Sequence, residues 1–170
     1  MGPLLLALTG VTLLAQPRQV EIFGMAGAAR VSGDEGSLGS GVAFGGAVTL
    51  PFSARWAIDL DLMHGRADRD EAQIAFRTRR TYVSPALQYR RGNGRLYGFA
   101  AAGAGFAKTT GDTDLPERTI SASDSGLTWH GRGGIVAGLT GRLLLRAEVF
   151  TIFRYVSPDV GVRAGLGFRF

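Results

Sequence analysis

The stretch Gly161-Val162-Arg163-Ala164-Gly165-Leu166-Gly167-Phe168-Arg169-Phe170 decides how the rest of the chain is read. Val162, Ala164, Leu166, Phe168 and Phe170 are apolar; the residues between them are glycine or arginine. Strict alternation is the period of a β-strand with one greasy face and one wet face. A strand of about 9–11 residues is also long enough to cross a bilayer at a tilt.

Composition agrees with a sheet protein. The 170 residues include 26 glycines and no cysteine. Glycine inside a helix costs on the order of 1 kcal/mol, so this content argues against a helical domain. Without cysteine, neither a disulfide framework nor a thiolate metal site can form. The net charge is +5, and Lys108 is the sole lysine among otherwise arginine cations. The arginines are scattered rather than gathered on one element, and no nucleic-acid motif is present. The apolar run from Leu4 to Ala15 is too short to span a membrane as a helix and fits the core of a secretory signal. The expected organisation is a signal peptide over 1–15 and one domain over 16–170. No Lys or Arg precedes the run, and Leu13 sits where a small residue is preferred.

Working back from the last stretch, alternation predicts eight strands, near 20–31, 41–50, 55–64, 78–90, 95–109, 126–139, 143–155 and the final ten residues. Pro51-Phe52-Ser53-Ala54, Arg91-Gly92-Asn93-Gly94 and Thr140-Gly141-Arg142 read as tight turns. Asn-Gly is the pair that accepts the positive φ angles of short hairpins. Segments 32–39, 65–77 and 110–125 read as longer polar loops, and Ser157-Pro158-Asp159 as a short link to the last strand. A sheet in lipid must close, since lipid cannot satisfy an open edge. The expected fold is all-β, an eight-stranded antiparallel up-and-down transmembrane barrel. Trp56, Tyr89, Tyr97, Phe150, Phe153, Tyr155, Phe168 and Phe170 fit aromatic girdles at its two interfaces.

On that phase Leu60, Leu87, Val149 and Leu166 face lipid, while Gln88 and a set of charges face the lumen. Glu21, Asp59, Asp61, Arg132, Arg146, Glu148 and Arg163 form the expected lumen charge network, with Arg90 and Arg169 on the same face. An unpaired charge in a narrow lumen costs several kcal/mol, so opposite signs should pair and plug it. A charged constriction conducting small ions is the alternative. His64 and His130 are the only histidines, and His130 is expected to hydrogen-bond within the lumen. A triad of His130 with Ser84 and Asp61 would be needed for lipid chemistry, and no spacing forces one. Asp112, Asp114 and Asp124 read as solvated loop rather than a calcium site. Neither cofactor nor metal is expected. Arg66, Arg69, Arg77, Arg79 and Arg80 flank the second long loop and could grip lipopolysaccharide phosphates bidentately. Pairing with Asp68, Asp70 and Glu71 is the other reading of that cluster.

The terminal pattern, the signal-like run and the alternating connection lengths resemble the small outer-membrane β-barrel family. That family includes the transmembrane domain of outer membrane protein A, OmpX-like proteins and opacity-type porins. The resemblance covers about residues 20–170 and is architectural except at Val162–Phe170. It implies the bacterial outer membrane, with both termini in the periplasm and a monomer surrounded by lipid and lipopolysaccharide. It also implies that Val162, Ala164, Leu166, Phe168 and Phe170 are the signal read by the barrel-assembly machinery. The implied role is structural or surface-interacting, in envelope integrity or adhesion, without catalysis. A small pore is the alternative, a lipid-modifying enzyme a lesser one. A soluble lipocalin-like barrel would need the opposite distribution of greasy and polar faces.

Overall fold

A computed structural model describes residues 19–33, 36–71, 74–115, 118–154 and 157–170. The expected signal segment lies outside them. Eight strands run β1 (Glu21–Gly33), β2 (Gly36–Pro51), β3 (Trp56–Glu71), β4 (Ile74–Gly92), β5 (Leu96–Leu115), β6 (Arg118–Gly138), β7 (Leu143–Phe153) and β8 (Asp159–Arg169). Each pairs antiparallel with its sequence neighbours, and β8 returns to β1 from Glu21↔Arg169 to Arg30↔Val160, closing the barrel.

Strands β3, β4, β7 and β8 take the phase expected from the sequence. Leu60, Leu87, Val149 and Leu166 are exposed on the outer face, whereas Asp59, Gln88, Arg146, Glu148 and Arg163 are buried inside. An apolar outer belt begins at the tight turns and ends abruptly along each strand. On β3 it runs from Trp56 through Ile58 and Leu60 to Leu62, and Arg66 and Asp68 follow on the same face. On β4 it ends at Val83 and gives way to Arg79 and Arg77, and on β5 it ends at Phe106 before Lys108. Such a belt matches the roughly 25 Å apolar band of membrane barrels.

Two expectations change here. The described residues of segments 32–39, 65–77 and 110–125 are not loop: they prolong β1–β2, β3–β4 and β5–β6 as paired strands, the last two well past the belt. Both faces of that extension are wet, so it carries no alternation. The girdle is also smaller than expected. Tyr97 and Phe150 are buried in the lumen, whereas Trp56, Phe153, Phe168 and Phe170 do face outward; Tyr155 lies outside the described residues.

The three tight turns share one device. Ser53 Oγ accepts from Arg55 N and Trp56 N, Asn93 Oδ1 from Arg95 N and Leu96 N, and Thr140 Oγ1 from Arg142 N and Leu143 N. Asn93 thus acts through its side chain, mimicking a backbone turn. The positive φ expected of the Asn-Gly pair belongs instead to Gly92, at 144°. There a Cβ would meet Leu96 O at 2.3 Å, so glycine is required.

Candidate functional site

The lumen is filled in storeys. Nearest the turns, Glu21 takes Arg90 Nη2 at 2.5 Å and Arg169 Nη2 at 2.8 Å, and the Tyr97 hydroxyl donates to the same carboxylate at 2.5 Å. Arg90 lies over the Tyr97 ring at 4.1 Å. Below this group a vestibule of about 800 Å³ opens among the turns, lined by Arg55, Arg91, Asn93 and Arg169.

At mid-depth Arg132, Arg146 and Arg163 meet Asp59, Asp61 and Glu148. Arg146 donates to Glu148 Oε2 through Nε at 2.7 Å and to Asp59 Oδ2 through Nη2 at 2.8 Å. Thr49 donates to Asp59 Oδ1 at 2.7 Å. Arg163 Nε donates to Glu148 Oε1 at 2.7 Å, and its Nη2 lies 2.8 Å from Asp61. Arg132 stands 3.1 Å from Asp61 and 3.4 Å from Asp59. Charges balance within the storey, as burial demands. The rings of Phe99 and Phe23 flank Arg146 at 4.4 and 5.2 Å. Apolar layers close both sides: Phe23, Met25, Phe99, Val136 and Leu144 toward the turns, Met63, Tyr82, Phe150 and Ile152 toward the far end.

The sequence reading missed a third storey. Arg80 Nη1 lies 2.6 Å from Asp159, which also accepts from Ser32 N at 2.6 Å and from the Tyr82 hydroxyl. Arg80 is 1% exposed, so it leaves the group expected at lipopolysaccharide. The physical reason is phase: Arg80 shares the inward face of β4 with Ser84, Gln88 and Arg90. Carrying that alternation back to the start of the expected 78–90 strand would have found it. Asp159, read as a linker residue, shares the inward phase of Arg163.

The other members of the arginine cluster are dispersed. Arg66, Arg77 and Arg79 are exposed beyond the belt and pair with Asp68, Asp114 and Asp112 at 3.2, 3.5 and 3.8 Å. The Arg69 side chain lies outside the described residues. Asp112 and Asp114 also accept from Ser121 and Thr119, while Asp124 takes Arg154 Nη2 at 2.7 Å.

The two histidines are on opposite sides of the wall. His64 faces out, where its Nδ1 is 2.9 Å from Thr81 Oγ1 and its ring packs on Phe44. His130 is buried in the lumen, and neither nitrogen has a hydrogen-bond partner among the described residues. It was expected to hydrogen-bond there. Gln88 is likewise unpartnered. Among the described residues no carboxylate or histidine group gathers at metal-binding distance.

Residues 4–170 match the family model described as "Outer membrane protein beta-barrel domain". The chain belongs to this family. It is therefore a barrel of the bacterial outer membrane. No curated protein matches it by sequence. Among solved structures this outer-membrane barrel is similar to the neisserial surface protein NspA, with 13% identity, TM-score 0.65, and 89% of this chain and 97% of that one covered. It is also similar to Ail, the attachment invasion locus protein of Yersinia pestis, at 17% identity and TM-score 0.62, covering 91% and 100%. OprG of Pseudomonas aeruginosa shares 14% identity at TM-score 0.58, covering 90% and 96%. These likenesses concern the fold.

Proposed function

We propose that the chain is a non-conducting, non-catalytic barrel that presents the prolonged β3–β6 sheet at the cell surface for interaction with a partner. The observation that carries this reading is an open edge above a filled lumen. β7 pairs with β6 only over Trp129–Gly138, so the outer half of β6 from Arg118 to Thr128 has no strand on that side among the described residues. At about 3.3 Å per residue, the 108–115 segment of β5 carries this edge roughly 25 Å past the belt. Unpaired main-chain groups on such an edge accept an added strand. The likeness to an attachment protein, Ail, is in keeping with this role. The ion-paired storeys and aromatic layers support a lumen without conduction, and His130, neither of whose nitrogens bonds Ser84 or Asp61 although all three are buried in the lumen, supports the absence of a catalytic triad.

In this reading the tight turns and both termini face the periplasm, and the long hairpins face outward. Arg66, Arg77 and Arg79 then stand at the level of lipopolysaccharide phosphates. Val162, Ala164, Leu166, Phe168 and Phe170 are all exposed on the outer face of β8 or just beyond it, open to assembly machinery before lipid covers them. The test is cell adhesion to host matrix by S121K/S123K, whose charges block strand addition at the edge. Binding should fall while heat-modifiable folding is kept. Unchanged adhesion, or stepwise conductance of the wild type in planar bilayers, would overturn the reading.

A further inference from the structure

The exposed arginines at the two ends of the barrel are treated differently. At the hairpin end Arg66, Arg77 and Arg79 meet aspartates. At the turn end every exposed charged side chain among the described residues is an arginine: Arg55, Arg91, Arg95 and Arg142. The single acid there, Glu21, is buried and already held by Arg90 and Arg169. Three of the four occupy equivalent places. Ser53-Ala54-Arg55-Trp56, Asn93-Gly94-Arg95-Leu96 and Thr140-Gly141-Arg142-Leu143 follow one grammar: a capping oxygen, a small residue, arginine, then an apolar residue. The turns use only the main chain of that arginine, so nothing in their folding demands its side chain. The residue after it starts the apolar belt, with Trp56 and Leu96 exposed.

A guanidinium placed at the rim of an apolar belt, with no acid beside it, is built to meet phosphate. We propose that Arg55, Arg95 and Arg142, aided by Arg91, form a collar that binds the phosphates of anionic phospholipid headgroups in the leaflet touching the turns. Guanidinium pairs with phosphate bidentately, and its aliphatic stem lies along apolar surface while the head reaches the interface. Arg55 and Arg91 also edge the vestibule; lipid is favoured over a soluble anion because Trp56 and Leu96, which directly follow Arg55 and Arg95, are exposed at the rim of the apolar belt. The leaflet assignment rests on the proposed periplasmic position of the turns; the headgroup preference does not.

The test uses the full barrel in vesicles of phosphatidylcholine with a minority of phosphatidylglycerol, comparing wild type with R55Q/R95Q/R142Q. Spin-labelled lipids report the shell held at the protein. Wild type should favour phosphatidylglycerol on the order of fivefold, the ratio equivalent to about 1 kcal/mol for one engaged cation. The preference should vanish near 1 M salt, where the Debye length is about 3 Å. The variant should keep heat-modifiable folding and show a ratio near unity. No preference in the wild type, or the same preference in the variant, would overturn the proposal. So would loss of preference on adding inorganic phosphate at matched ionic strength, which would assign the collar to a soluble anion. Orientation is read separately by labelling intact cells carrying A122C or R142C. Labelling at 142 instead of 122 would overturn the leaflet assignment and the proposed topology, leaving the vesicle result intact.

Discussion

Replacing Glu148 by glutamine removes one negative charge from a storey that holds three arginines and three carboxylates, and changes little else in shape. Glu148 accepts from Arg146 Nε and Arg163 Nε, each at 2.7 Å, one on each oxygen. The amide keeps one acceptor and turns an NH₂ toward the other guanidinium, so one charge-assisted bond, about 1.5–3 kcal/mol, becomes donor against donor. An excess cation also remains inside a storey where Arg146 is fully buried. Together these effects place E148Q in the range for a broken buried pair, about 3–5 kcal/mol less stable. R146M should cost a similar amount by stranding carboxylate instead. The double variant restores balance, with Arg132 and Arg163 facing Asp59 and Asp61, and Thr49 still donating to Asp59 at 2.7 Å. Its cost should fall below the sum of the singles by about 2 kcal/mol or more. Urea unfolding from lipid vesicles, followed by the emission of Trp56 and Trp129 on the outer belt, measures all three. Single losses under about 1 kcal/mol, or a cycle that closes within about 0.5 kcal/mol, would refute the reasoning and point to a hydrated lumen.

D159N leaves Arg80 buried beside a neutral amide and should destabilise the far storey by about 3 kcal/mol, with D159N/R80M recovering most of it. Amide exchange at Ser32, whose N–H donates to Asp159, should rise in the single variant and drop back in the double. F170D should impair outer-membrane yield in cells more than refolding into detergent, because Phe170 is exposed and its N–H still donates to Val20 O at 3.0 Å. Equal losses in both assays would mean that Phe170 acts through stability alone.

The sequence was legible wherever one face was wet and the other greasy. Asp59 beside Leu60, or Arg146 beside Leu145, reveals both strand and phase, and a neutral lumen follows from the cost of unpaired charge. Legibility failed where both faces are wet, as along 108–115 and 118–125, because alternation marks contrast rather than strand. Arg80 was lost for that reason. Tyr97 and Phe150 were misplaced because aromatics serve equally as interfacial belt residues and as flat partners for guanidinium. Alternation is weak along β5 because its outward residues include Ala100, Ala102 and Ala104. Asn93 was assigned to the right turn by the wrong route, through φ rather than through its carboxamide.

Most ion pairs of the lumen join strands far apart in the chain. Arg146 and Asp59 are separated by 87 positions, Arg80 and Asp159 by 79, and Glu21 and Arg169 by 148. Such contacts gain nothing until the wall has curved round, so they form late and contribute little to the folding transition state. Interactions absent from that transition state leave the folding rate alone and slow the reverse step. The storeys therefore act as a latch: an open sheet keeps its charges hydrated until β8 meets β1, and once water is expelled the barrel reopens only on a far longer timescale.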